Sequence, residues 1–281
     1  MISYPAKCIL SGEHTVLNGG CAIVSPFKVY TTTLEYQDAP KLEMFLNSRP
    51  FTKRVLNFLQ NIALLPRTFS GILNVNSNIP MASGLGSSAA FCVAIANFLV
   101  QKGYILSENF FEVARTCENL FHGKSSGVDI AGVISKNILL YSMDNGATQF
   151  VPTWKPLIYV SYSGVPSDTK KAVGKVQKYR NDFPNTNIDK NMESATQQIY
   201  KALLSLDVKT RLKQLCEGIN QASECFEEWG IIGDFLRAHQ NKLIQEGALV
   251  TKPTGSGVGG HVLSIWQEEP SPCLNLMPLN L

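Results

Sequence analysis

Residues 88–102, SAAFCVAIANFLVQK, restrict the fold more than any other stretch. They predict a helix that is apolar on nearly every side, and such a helix must be wrapped by protein. Gly103 is a natural C-terminal stop. The apolar run from Ala89 to Val100 is broken by Asn97. It falls short of the roughly 20 residues a membrane-spanning helix needs. The chain is therefore expected to be soluble, with this helix at the centre of its core. Its 281 residues, 44% hydrophobic and 17% charged, suffice for a sizeable interior split into two lobes.

Around that helix the patterns alternate between strand and helix early and turn helical late. AKCIL (6–10) and CAIVSPF (21–27) read as strands flanking SGEHTVLNGG, where Asn18-Gly19-Gly20 signals a turn. VYTTTLEY (29–36) predicts another strand, and GILNVNSN (71–78) a half-buried one. Residues 53–64 have helical spacing, and Ser107 can cap a helix over 108–121. NILLYSM (137–143) and LIYVSY (157–162) are strand-like. From about residue 168 to 246 the chain reads as helical, before KPTGSGVGGHVLSIW closes it with a glycine loop feeding a strand. This is an α+β protein with its seam near 150–170, giving lobes of 1–155 and 156–281.

Composition excludes several functions. A net charge of +3 is too mild for a nucleic-acid binder. Lys170, Lys171, Lys175, Lys178 and Arg180 form a local basic run, read as a solvated helix face or as a weak attraction for anionic substrates. Seven cysteines without a CxxC pair suggest buried reduced thiols, and no histidine spacing suits zinc. No signal peptide is evident at the start, so a cytoplasmic protein is expected.

PMASGLGSSAA (80–90) runs straight into the buried helix. A helix N-terminus carries unpaired N–H groups and partial positive charge, so it binds anions. Gly84 and Gly86 would let the backbone approach a ligand, and Ser87 or Ser88 could ligate Mg²⁺. Taken alone, the stretch serves equally well as a serine-capped helix after a glycine turn. It is not a Walker loop. GSGVGG (255–260) satisfies GxGxxG but precedes a strand, which is the wrong context for a dinucleotide fold. In ENLFHGKSSGVDIAG (118–132), Glu118 and Asp129 could divide metal binding and hydroxyl activation between them. By spacing alone, a solvated helix-end acid and a helix N-cap are the commoner arrangement.

Three motifs in fixed order, PAKCILSGEHTVLNGG, PMASGLGSSAA and KPTGSGVGG, resemble the three signatures of the GHMP kinases. GEH followed by Thr15-Val16, with the segment E…FHGKSSGVD, looks most like the mevalonate kinase branch. The resemblance implies a two-lobed α+β fold, with a left-handed βαβ unit in the N-terminal lobe and a ferredoxin-like C-terminal lobe. It implies ATP and Mg²⁺ as cofactors, mevalonate as the small-molecule partner and no nucleic-acid or membrane partner, and it leaves room for a homodimer. Pro80, Ser83, Gly84, Leu85, Gly86, Ser87, Ser88 and Ala89 would hold the nucleotide, with Ser88 and Glu118 on the metal. Asp129 would be the base, and Lys7 would lower the pKa of the acceptor hydroxyl and neutralise charge growing on the γ-phosphate. Glu13, His14, Thr169, Gly255 and Ser256 would face the acceptor. Gly257 and Gly259 would pack with Gly255 against the phosphate loop and active site, while His239 and His261 are expected to be structural. Lys124-Ser125 stands where the family more often has a small or amide residue and then proline, so that loop is expected to be less rigid. The tail QEEPSPCLNLMPLNL, with three prolines, cannot supply both a further helix and a strand. The alternatives are another acceptor, such as phosphomevalonate or a sugar, or a non-catalytic nucleotide-binding regulator.

Overall fold

The computed structural model describes residues 1–38 and 50–281. Strand β1 (Ile2–Ser11) pairs antiparallel with β2 (Ala22–Gln37), which bends around it over sixteen residues. The sequence reading divided that length into two strands, 21–27 and 29–36, with the break at Lys28. The structure keeps it whole because β2 changes partner there. Residues 22–24 pair with β4 (Leu139–Ser142) and residues 32–37 with β3 (Ile72–Ser77). Pro26 falls in the gap between those partners, where a missing N–H breaks no ladder on that side. A further strand, β5 (Gly146–Gln149), hairpins onto β4. All four of its residues are exposed, so it carries no alternating pattern and was not expected.

The second sheet runs β7 (Val250–Pro253), β8 (His261–Trp266), β6 (Leu157–Tyr162) and β9 (Met277–Pro278), all antiparallel. The proline-rich tail forms a 3₁₀ turn and this two-residue strand but no α-helix. Buried Leu279 anchors it by donating its N–H to Ile158 O at 2.8 Å.

Helices α1 (Pro50–Asn61), α2 (Ser87–Gln101), α3 (Phe110–His122) and α4 (Val128–Ile134) accompany the first sheet. Helices α5 (Thr169–Asp182), α6 (Ile188–Leu204), α7 (Arg211–Glu228) and α8 (Asp234–Gln245) follow; α7 and α8 pack on the second sheet, while α6 reaches β1 and β2 of the first. Ser107 opens a 3₁₀ turn rather than capping α3. Helix α2 is buried at every position from Ala89 to Ala96, as its composition requires. Its apolar cluster continues into Ile158, Val160, Ile199 and Leu203, so one core joins the two sheets. Full burial of Phe91, Ile95 or Leu99 stabilises by about 1.5–3 kcal/mol each, which fixes the N-terminus of α2 in place. Among the described residues, no helix is long and apolar enough to cross a membrane.

Candidate active site

The loop before α2 is pressed against β1 and the 254–260 segment, and glycine makes both approaches feasible. Gly86 takes φ +77°, and a Cβ there would lie 2.8 Å from Lys7 Cγ. At Gly84, with φ +82°, a Cβ would lie 2.4 Å from Thr254 O. Gly255 packs on the Gly84 backbone, as expected. Gly257 packs on Phe226, the ring beside His14, and Gly259 on the Pro166 carbonyl. Thr254, which the sequence did not single out, clamps the loop from below by accepting from Ile9 N–H and donating to Ile9 O, both at 3.0 Å. His261 is also tied to the motif, since its backbone N–H (3.1 Å) and Nδ1 (2.9 Å) both contact Ser83 O. Leu85 accepts from the Lys7 backbone N–H at 3.0 Å, and Ser83 Oγ donates to Pro80 O at 2.6 Å. Ser87 and Ser88 are half-buried in the first turn of α2, followed by buried Ala89.

Lys7 and Asp129 meet beside this loop. Lys7 is 2% exposed, and its Nζ donates to Gly84 O at 2.9 Å and lies 2.9 Å from Asp129 Oδ1. Asp129 sits in the first turn of α4, whose N-cap is Gly127, so the aspartate is not the cap. Glu118 is likewise not a solvated helix-end acid: it is 2% exposed. Ser125 Oγ donates to its Oε2 at 2.5 Å, while its Oε1 is buried without a partner. Burial, with Asp129 nearby, pushes its carboxyl up to about 8. The loop expected to be looser is tied down by Ser125 N–H to Asn119 Oδ1 (2.7 Å) and Tyr141 OH to Ser126 O (2.7 Å).

On the acceptor side, Glu13 is held by Lys252, which no pattern singled out: Nζ lies 2.6 Å from Glu13 Oε1, and neither side chain is more than 4% exposed. His14 Nε2 contacts Ser256 O at 3.0 Å, and its ring sits edge-on to Phe226 and Trp229. Ser256 Oγ pairs with Ser167 Oγ at 2.6 Å, and Ser167 N–H donates to Ala82 O, joining Ser167 to both the 254–260 segment and the 80–89 loop. Thr169 opens α5, half-buried, behind the Asp168 N-cap. Lys170, Lys171, Lys175 and Lys178 are exposed, as a solvated face requires. Arg180 departs from that reading: it binds Asp189 and donates to His14 O at 2.9 Å.

Burial holds the His14 ring down at about 4. The unfolded chain protonates this histidine near pH 6.5 and the folded one does not, so the unfolded state binds the extra proton in between. Stability should therefore fall as pH drops from about 6.5 towards 4. Melting temperatures across that window should show the slope, and His14→Asn should flatten it. An equal slope in the variant would exclude His14 as its source.

These elements match known proteins along the whole chain. The GHMP kinases N-terminal domain family matches residues 51–137. The mevalonate kinase of Thermococcus sibiricus is 27% identical over 96% of this chain and 90% of its own length. That of Aeropyrum pernix is 27% identical over 95% and 88%. The chain thus resembles the GHMP kinases along nearly its whole length. It is a phosphotransferase with an alcohol acceptor. Its fold is that of the L. major mevalonate kinase solved with R-mevalonate, with a TM-score of 0.76 and 21% identity, covering 95% of this chain and 87% of that one. The Streptococcus pneumoniae phosphomevalonate kinase gives 0.72 at 16% identity, covering 100% and 99%. The buried, bare Glu118 Oε1 suits a hard, oxygen-seeking cation such as Mg²⁺.

Proposed function

We propose that this protein transfers the γ-phosphoryl group of ATP to the C5 hydroxyl of (R)-mevalonate. The observation that carries the reading is the Lys7–Asp129 contact at 2.9 Å, set between the N-terminus of α2 and the bare Glu118 oxygen. The names of the full-length relatives support the acceptor.

In this reading residues 1–155 form the nucleotide lobe, and 156–281 close over it. The triphosphate lies along residues 80–89, where the backbone N–H groups of the first turn of α2 receive its charge. Ser88 and Glu118 would hold Mg²⁺, which would supply positive charge to offset that of the phosphates. Glu13, His14, Thr169, Gly255 and Ser256 wall the acceptor. Asp129 accepts a hydrogen bond from the C5 hydroxyl and takes its proton as the oxygen bonds to the γ-phosphorus. The bond from that phosphorus to the bridging oxygen breaks, and ADP leaves. Lys7, dry and anchored on Gly84 O, offsets negative charge on the transferring group without reorganising.

The test is ADP release with MgATP and (R)-mevalonate, beside 5-phosphomevalonate, galactose and homoserine. Turnover dependent on mevalonate is expected. Exposed Lys170 and Lys171 at the start of α5 favour one second reading, an acceptor that already carries phosphate. Turnover with 5-phosphomevalonate alone would establish that reading instead.

A further inference from the structure

The Ser125 hydroxyl lies between two groups that fix its direction. It accepts from Gly127 N–H at 3.0 Å, which leaves its own proton for Glu118 Oε2 at 2.5 Å. Its backbone N–H is spent on Asn119 Oδ1. Glu118 and Asn119 belong to the last turn of α3, and Gly127 caps α4, the helix that carries Asp129. Ser125 is 7% exposed, so water competes poorly for these bonds. A terminal carboxylate torsion is broad and easily turned. With Oε2 held, the group keeps one orientation and Oε1 alone stays bare.

We propose that Ser125 is a positioning residue for the cation: its hydroxyl locks Glu118 so that Oε1 faces the metal, and ties that carboxylate to the cap of the base's helix. This rests on the reading of Glu118 as a Mg²⁺ ligand. Partners of metal ligands commonly matter nearly as much as the ligands, at about 10–100-fold in metal affinity.

The experiment is calorimetric titration of a non-hydrolysable ATP analogue with and without Mg²⁺, which needs no turnover. The quantity read is the tightening that Mg²⁺ produces, in wild type, Ser125→Ala, Ser125→Thr and Glu118→Gln. Ser125→Ala should lose about 10–100-fold of that tightening. Ser125→Thr, which keeps a hydroxyl, should retain most of it, and binding without Mg²⁺ should be similar in wild type and the two Ser125 variants. If Glu118→Gln loses the tightening while Ser125→Ala keeps it, the metal ligand stands and Ser125 has no part in it. A lower melting temperature in Ser125→Ala with unchanged tightening would make it a loop staple only. Tightening that survives in Glu118→Gln would overturn the ligand reading, and the Ser125 proposal with it.

Discussion

Asp129→Ala should lower kcat by roughly 10²–10⁴-fold, the range that one well-placed acid–base group supplies, with ATP binding little changed. The effect should fall mainly on the chemical step because Asp129 meets the 80–89 loop through Lys7. It lies in the first turn of α4, about a quarter exposed, with Lys7 as its ionic partner. Lys7 is placed differently. Its backbone N–H supports the phosphate loop through Leu85 O, and its buried Nζ touches both Gly84 O and Asp129. Lys7→Met should therefore cost about 10²–10³-fold in kcat, like loss of an oxyanion donor, and should weaken ATP binding as well. If the pair acts as a unit, the double variant will be little worse than the poorer single one. Rates at saturating ATP and acceptor, with calorimetric ATP affinities, separate these cases. Wild-type turnover by Asp129→Ala would remove it from the chemistry, and strictly additive losses would mean the two residues act independently.

What could be read from the sequence was whatever a short window encodes. Helix α2 declared itself because no polar face was left to expose, and the glycines before it because few other residues allow such close backbone approach. Glu118 and Asp129 could be named as a pair but not understood. Spacing favours a solvated acid and a cap, whereas folding buries Glu118 and gives the cap to Gly127. Three contributors stayed hidden because their partners are remote in the chain. Lys252 meets Glu13 across 239 positions, Arg180 meets His14 across 166, and Thr254 meets Ile9 across 245. Nothing local distinguishes Arg180 from the solvated lysines before it. Strand β2 was divided at Lys28, a charged residue between two strand-like runs, because a short window does not show that β1 pairs along both of them.

The hidden lysine should have the largest effect on stability. Lys252→Met is expected to cost about 3–5 kcal/mol, as removal of one partner from a buried pair does. That corresponds to a melting temperature lower by roughly 6–20 °C. Lys252 is fully buried, with Nζ 2.6 Å from Glu13 Oε1, 2.8 Å from Pro253 O and 4.4 Å from the centre of the Phe226 ring. Methionine fills much of the same space, so the cost is mainly that of the carboxylate left behind. Burial already pushes the Glu13 carboxyl up, and Lys252 is the chief group holding it down. Without the lysine, Glu13 would bind a proton more readily folded than unfolded. The penalty should therefore shrink as pH falls from 7 towards 5, with Lys7 the remaining cation acting on it. Lys252→Met with Glu13→Gln should regain most of the loss, because the orphaned charge is then gone. If the double variant melts no higher than the single one, the lysine's contribution is its packing against Phe226 and, through that ring, against His14. The pair would then act on acceptor binding through shape, and the mevalonate KM of the double variant would stay as high as that of the single one.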